Sequence, residues 1–422
     1  MPKNRVAYNC QGIYIGPSPS SGNHFIDVNG SLNNTTTYST GNFNLIKRIS
    51  RATNLSYQIT LPREEIKQIG KSTIAAHPII NNPNITLDFQ YYPNGVINEA
   101  RLGFNINTFD KNLNKNIYQN NFDAFIFSGL NVYEGNVLPT GKPFWPGNNR
   151  SCKNIFATIT KQNNEDEIDT HDTGKLIKFV DENVIAFGDA YITNYSTSCS
   201  IGSLPKVNTT FISDNIVFYT SSSGQSIPSI DPKNGLNFSG KKFVIPNEAD
   251  VQDLFVIAPG NITVDIQQTG NGTQTQMNNI SGFGVKFSDI KLQNYSINVP
   301  FEREDLSSIG YKAPSIRRLN FPVKVDLKFS AIVGEESNAN LRDILVNDNK
   351  YNITIKMKKD SNPEVLRYDL KNAFLENFNY QSSVGENRII DFSLTTYCSP
   401  DDLSQGFFMS GQIPNQSLTI SY

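Results

Sequence analysis

Apolar and polar residues alternate with a period of two over Ile85-Thr86-Leu87-Asp88-Phe89-Gln90-Tyr91, and again over Val323-Lys324-Val325-Asp326-Leu327-Lys328-Phe329. Successive side chains of a strand point to opposite faces, so each run predicts a half-buried β-strand with one face on a core. Pro83 and Pro322 stand just before these strands, where a missing N–H costs no ladder bond. A second pattern is a strand, a glycine turn and a strand: Ala190 to Phe211 around Gly202, and Ala373 to Leu394 around Gly385. Helix formers are thin, and only Asn340 to Leu345 reads as a short helix. The pattern predicts a mainly β chain.

These elements form a repeat. SYQITLPREEIKQIG (Ser56 to Gly70) and NNPNITLDFQYY (Asn81 to Tyr92) come first; NYSINVPFEREDLSSIG (Asn294 to Gly310) and LNFPVKVDLKFS (Leu319 to Ser330) come second. One shift brings Ile66, Ile69 and Gly70 onto Leu306, Ile309 and Gly310, and Ile85, Leu87 and Phe89 onto Val325, Leu327 and Phe329. Small gaps are expected at Pro83/Pro322 and before Ile66/Leu306. The two strand–turn–strand segments align without a gap, with Ala190, Asn194, Ser200 and Gly202 meeting Ala373, Asn377, Ser383 and Gly385. Alternating strands resemble one another under loose alignment, but chance would not repeat the two elements in the same order. The expected organisation is an N-terminal arm over 1–40, a first domain over 41–222, a connector over 223–280 and a second domain over 281–422. Each domain reads as an antiparallel β-sandwich or barrel. A long insertion at about 105–181 belongs to the first domain alone and carries the sole tryptophan, Trp145.

Composition fits this reading. At 422 residues the chain suits two domains, and 38% hydrophobic residues can build cores while only 18% are charged. Lys and Arg number 37 against 39 acidic residues, a net charge of −2, without the basic stripe that tight phosphate binding needs. Cys10, Cys152, Cys199 and Cys398 lie far apart, which argues against a zinc site and a disulfide scaffold. The N-terminus lacks the apolar run of a signal peptide, and no stretch approaches the roughly 20 apolar residues of a membrane helix. Asn-X-Ser/Thr triplets at Asn54, Asn84, Asn194, Asn261 and Asn352 are read as products of an Asn-, Ser- and Thr-rich composition.

Candidate chemistry is sparse. No nucleophile elbow, phosphate-binding glycine loop or His-Glu-x-x-His occurs. His24, His77 and His171 are isolated, and His77 before Pro78 reads as a packed loop residue. The acidic run Asn164 to Asp172 could gather a hard cation through Asp169 and Asp172, but lacks calcium-loop spacing and reads as a solvated loop. No catalytic, cofactor-binding or metal-ligating residue is assigned, and the chain is read as a non-enzyme.

The SYQI and NYSI strands, the charged segments ending at Gly70 and Gly310, the proline-led alternating strands and the hairpin NFNYQSSVGENRIIDFSL together resemble tail tube proteins of tailed bacteriophages. The resemblance covers four patches, about half the chain, and rests on shape patterns. It implies a β-sandwich or barrel of tail-tube type that assembles six domains to a ring. Rings would stack around a tape-measure protein and later conduct double-stranded DNA, in a virion tail assembled in the host cytoplasm. Most family members carry one such domain. Two per chain would let three chains form a pseudo-hexameric ring; a hexamer with one domain outside is the second choice. An adhesive, carbohydrate-binding fibre or baseplate component and a β-sandwich hydrolase remain as readings from other classes.

Overall fold

A computed structural model describes residues 12–17, 46–70, 72–102, 104, 107–108, 152–159, 183–245, 257–270, 273–276, 279–280, 285–286, 290–314, 316–333, 350–359, 364–381, 389–399 and 404–411. Trp145, His24, His171, Cys10, the acidic run at 164–172, the glycine turn at Gly385 and the helix expected over Asn340 to Leu345 lie outside them.

The chain is mainly β, with antiparallel pairing almost throughout. In the first half the main strands are β1 (Gly12–Pro17), β2 (Ala52–Thr60), β3 (Asn84–Tyr91), β4 (Lys153–Ile159), β5 (Asn183–Ser200), β6 (Lys206–Ser213) and β7 (Asn215–Tyr219). A helix, α1 (Ile97–Leu102), follows β3, and a hairpin of β8 (Ser223–Asp231) and β9 (Gly235–Val244) leads onward. The second half holds β10 (Ile262–Gly270), β11 (Ile290–Pro300), β12 (Val323–Val333), β13 (Lys350–Lys358), β14 (Glu364–Gln381), β15 (Ile389–Cys398) and β16 (Gly406–Gly411).

The halves repeat one topology. In the first, β2, β3, β6 and the C-terminal part of β5 pair in that order; in the second, β11, β12, β15 and the C-terminal part of β14 do the same. The N-terminal part of β5 lies between β4 and β7, with β1 beyond β4. The N-terminal part of β14 likewise lies between β13 and β16, with β10 beyond β13. Thus β1, β4 and β10, which fall in stretches read from sequence as arm, insertion and connector, are sheet strands, and β4 has a counterpart in β13.

The register sharpens the alignment. Leu55 pairs with Phe89 and Tyr57 with Leu87; Tyr295 pairs with Phe329 and Ile297 with Leu327. A constant shift of 240 residues therefore relates the halves from Ala52 to Tyr91, and no gap is needed. Tyr57 corresponds to Ile297, not to Tyr295 as the shared letters SYQI and NYSI suggest. Register irregularities recur too, at Thr53 and Gln293 in β2 and β11 and at Thr193 and Glu376 in β5 and β14. Bulges of this kind bend a strand and fix its pairing.

The long strands β5 and β14, each of 18 residues, serve both sheets of their half by turning a corner. At the corner Asp189 and Asn372 adopt φ of 52° and 50°, the left-handed region that Asp and Asn tolerate best among residues with a Cβ. The same device holds both corners: the Asp189 N–H donates to Asn154 Oδ1 at 3.0 Å, and the Asn372 N–H to Asn352 Oδ1 at 2.9 Å. The Asp189 carboxylate also accepts the Ile230 N–H at 2.7 Å, tying β8 to the corner. There a Cβ on Gly188 would lie 2.5 Å from the Pro228 carbonyl oxygen, so only glycine fits beneath the hairpin.

Alternating side chains of the strands fill a large core, including Ile85, Leu87, Phe89, Val207 and Phe211 in the first half and Val325, Leu327, Phe329, Ile390 and Phe392 in the second, and a smaller cluster of Phe156, Val184, Ala186 and Phe243 packs under the β8–β9 hairpin. Full burial of such a side chain stabilises by about 1.5–3 kcal/mol. Between β2 and β3, and between β11 and β12, the chain makes a short hairpin excursion whose tip carries Ile69 or Ile309, fully exposed, before Gly70 or Gly310 at φ of 85° and 87°.

Candidate functional surface

The two four-stranded sheets are joined edge to edge. Strand β5 of the first half pairs with β11 of the second from Ser200↔Asn294 to Asn194↔Pro300, making eight strands continuous from β2 to β14. Two further backbone bonds extend the seam: Phe301 N–H to Thr193 O at 2.8 Å and Ile201 N–H to Gln293 O at 2.9 Å. The Arg303 Nε–H donates to Ile192 O at 3.1 Å while its guanidinium lies 5.1 Å from the Tyr191 ring centre. Arg317 reaches Asp214 at 2.7 Å and Asp305 at 3.2 Å, an ion pair that spans the seam. Burial pushes the Asp214 carboxyl above its ordinary value, with Arg317 opposing that shift.

One face of this continuous sheet is the core. The other is almost wholly polar and lightly charged. Thr86, Asp88 and Gln90 lie on β3, Asn208 and Thr210 on β6, Asn194, Ser196 and Ser198 on β5, and Ser296 and Asn298 on β11. Lys324, Asp326 and Lys328 follow on β12, Asp391 and Ser393 on β15, and Asn377 and Asn379 on β14. Its groups satisfy one another: Thr210 donates to Asp88 at 2.6 Å, Gln90 to Asn208 at 2.8 Å and Thr395 to Asp326 at 2.9 Å. Lys324 is held by Glu376 at 3.0 Å and Asp326 at 3.4 Å, and the Glu376 contact raises its pKa.

Among the described residues the sheet ends in two open edges. Among the described residues, β2 pairs only with β3, and the Asn377–Gln381 end of β14 only with β15. Exposure shows what the seam covers. Ile297 and Val299 are 0% exposed, whereas their counterparts Tyr57 and Ile59 on the open edge are 38% and 44% exposed. Thr197 on β5 is 0% exposed, and its counterpart Tyr380 on β14 is 42% exposed.

A buried polar cluster lies beneath the seam. The Glu99 carboxylate, on α1, accepts from the Tyr91 hydroxyl at 2.8 Å and the Tyr195 hydroxyl at 3.3 Å, and Tyr195 shares a 3.1 Å hydrogen bond with Tyr368. Burial pushes the Glu99 carboxyl up to about 7, its hydrogen bonds opposing only in part. The cluster is buried in the core and ties the two halves together through Tyr195 and Tyr368.

His77 is exposed at an excursion, where its carbonyl accepts from Arg63 Nη1 at 3.0 Å. Cys152, Cys199 and Cys398 are buried, with Cys152 Sγ 3.4 Å from Asp189 Oδ1, and no group of metal-ligating side chains occurs among the described residues. No helix among the described residues is long and apolar enough to cross a membrane. The seam residues Arg303, Arg317 and Asp214 escaped the sequence reading. Arg303 does have a signal there: the 240-residue shift matches it to Arg63, and both guanidiniums donate to corresponding carbonyls, His77 and Arg317, at 3.0 and 3.1 Å.

No protein-family model matches the chain, and no curated protein matches its sequence. Among solved structures it is similar to the sheath/tube terminator of the PVC extracellular contractile injection system, at 13% identity and a TM-score of 0.22 over 37% of this chain and 98% of that one. It is similar also to a chain of the tube-terminating cap of the anti-feeding prophage, at 13% identity and a TM-score of 0.22 over 39% of this chain and 96% of that one. A third likeness is to an Hcp protein, at 11% identity and a TM-score of 0.20 over 35% and 98%.

Proposed function

We propose that this chain is a non-enzymatic structural subunit of a tail tube, in which three copies supply six similar units to each ring and rings stack around a channel. The units correspond to the two halves of the repeat, expected over 41–222 and 281–422. The observation that carries the reading is the β5–β11 seam: one chain already joins two copies of the same sheet edge to edge, and leaves the equivalent edges open at both ends. Open strand edges call for a partner, and head-to-tail use of one edge pair builds a ring when the rotation closes.

Three chains would contribute 24 strands from the continuous sheet, eight from each. At about 4.8 Å per strand their wall has a diameter of about 37 Å before tilt widens it, room for a protein filament or a DNA duplex. The polar face would line this channel. The tube would enclose a tape-measure protein during assembly in the host cytoplasm and conduct double-stranded DNA in the virion tail. Polar side chains that satisfy one another, with Lys324 neutralised by its neighbours, would let the duplex pass without tight binding.

Electron microscopy of the purified chain, with its mass in solution, tests this. Stacked rings of constant bore built from three chains are expected. A compact monomer at all concentrations overturns the reading, and rings of six chains overturn the stoichiometry.

A further inference from the structure

We propose that successive copies of this chain join by pairing β2 of one with the C-terminal part of β14 of the next, antiparallel, with Gln58 opposite Asn379 and Ile59 opposite Phe378. The inference rests on the ring reading and adds to it the two edges and their register.

The register comes from the seam inside the chain. A shift of 240 residues carries β2 onto β11, and one of 183 carries β5 onto β14, as the pairings with β3, β12, β6 and β15 require. Within the chain Ile297 lies opposite Thr197, Asn298 opposite Ser196 and Val299 opposite Tyr195. Transferred to the open edges, these become Tyr57 with Tyr380, Gln58 with Asn379 and Ile59 with Phe378. The transfer places the exposed Tyr57 and Tyr380 side by side, an aromatic cross-strand pair that covers both. Leu61, also exposed, takes the place of Phe301, which is buried in the seam and whose N–H bonds to Thr193 O. Arg63 takes the place of Arg303 and would reach Leu375 O as Arg303 reaches Ile192 O.

The seam also says which positions a cross-link can join. Phe301 N–H to Thr193 O and Ile201 N–H to Gln293 O link residues directly opposite each other, so odd-numbered β11 residues occupy hydrogen-bonded pairs. Asn298 and Ser196 are then a non-hydrogen-bonded pair, whose Cα atoms approach to about 4.5 Å, within disulfide reach. Gln58 and Asn379 hold the equivalent position between chains, on the polar face.

The test is oxidation of the full chain carrying Gln58→Cys and Asn379→Cys, with Cys10→Ser, read on a non-reducing gel beside electron micrographs of the same sample. A ladder ending at three chains is expected. Asn298→Cys with Ser196→Cys should form the corresponding bond within one chain and so shows that the geometry permits it. Gln58→Cys with Asn377→Cys, two residues out of register, should cross-link roughly ten-fold less. Rings or tubes that form without the 58–379 cross-link, or that favour 58–377, overturn this register and leave the tube reading standing. A ladder ending at two, or at six, overturns three-chain closure. No assembly and no cross-link sink both.

Discussion

The seam between β5 and β11 and the open edges of β2 and β14 are the same structural positions put to different use, and their residues differ accordingly. Within the chain the edge is Ile297 and Val299, branched and wholly buried, flanked by the Asp214–Arg317 pair. At the open edge the corresponding residues are Tyr57 and Ile59, and the positions of Arg317 and Asp214 are held by His77 and Tyr397. Permanent contacts tolerate branched aliphatic residues and a buried ion pair, whose partners never have to face water alone. An edge exposed before assembly does better with tyrosine, which is amphipathic and keeps its hydroxyl wet. On the proposed ring assembly, the open edges would serve an encounter and the seam a permanent contact.

That contrast can be broken from either side. The largest effect is expected at the seam, where Ile297→Ala leaves a cavity and should cost about 4 kcal/mol in denaturant unfolding of the dilute chain. Next comes Glu99, which belongs to the first half alone: the counterparts of its partners Tyr91 and Tyr195 are Ala331 and Phe378. Its folded-state pKa lies above the ordinary value, so between pH 4.5 and about 7 the folded chain keeps a proton that the unfolded chain has released. Stability should therefore fall as pH rises through that window, by about 3 kcal/mol in all. Glu99→Gln should remove the slope and leave the variant the more stable at pH 8, as melting curves across pH will show. Asp214→Asn strands Arg317 at the seam and should cost about 2 kcal/mol, less than a fully buried pair because both side chains keep about a tenth of their exposure and Asp305 remains. The smallest change in stability is expected for Ile59→Ala on the open edge, below about 1 kcal/mol in the dilute chain. Its effect should appear instead as weaker assembly in sedimentation. Equal costs at Ile297 and Ile59 would erase the distinction between seam and edge.

Much of this was legible in the sequence. Alternation located β3 and β12 because their core-facing residues, Ile85, Leu87 and Phe89 or Val325, Leu327 and Phe329, recur every second position. The β5–β6 hairpin announced itself through Gly202, whose φ is 79°. The corners at Asp189 and Asn372 did not, because a single left-handed residue leaves the apolar run of a long strand unbroken. Strand β4 hid inside an apparent insertion, since Ile155-Phe156-Ala157 is a continuous apolar run without alternation and lies between stretches with no counterpart in the repeat. The open edges were invisible for a physical reason: Tyr57 and Ile59 alternate with polar neighbours just as Ile297 and Val299 do, and alternation reports that a face is apolar, not what covers it. The shared letters SYQI and NYSI misled by two residues, because tyrosine recurs at neighbouring core positions while the register is set by pairing with β3 and β12.

The seam also bears on how such a wall could be counted out. Because β5 and β11 belong to one chain, their pairing is a first-order event, independent of dilution. In a ring of six units, three of the six unit contacts would then be guaranteed by covalent connection, leaving only half to diffusion. Dilution would weigh on three steps, and partial rings with an odd number of units could not arise at all.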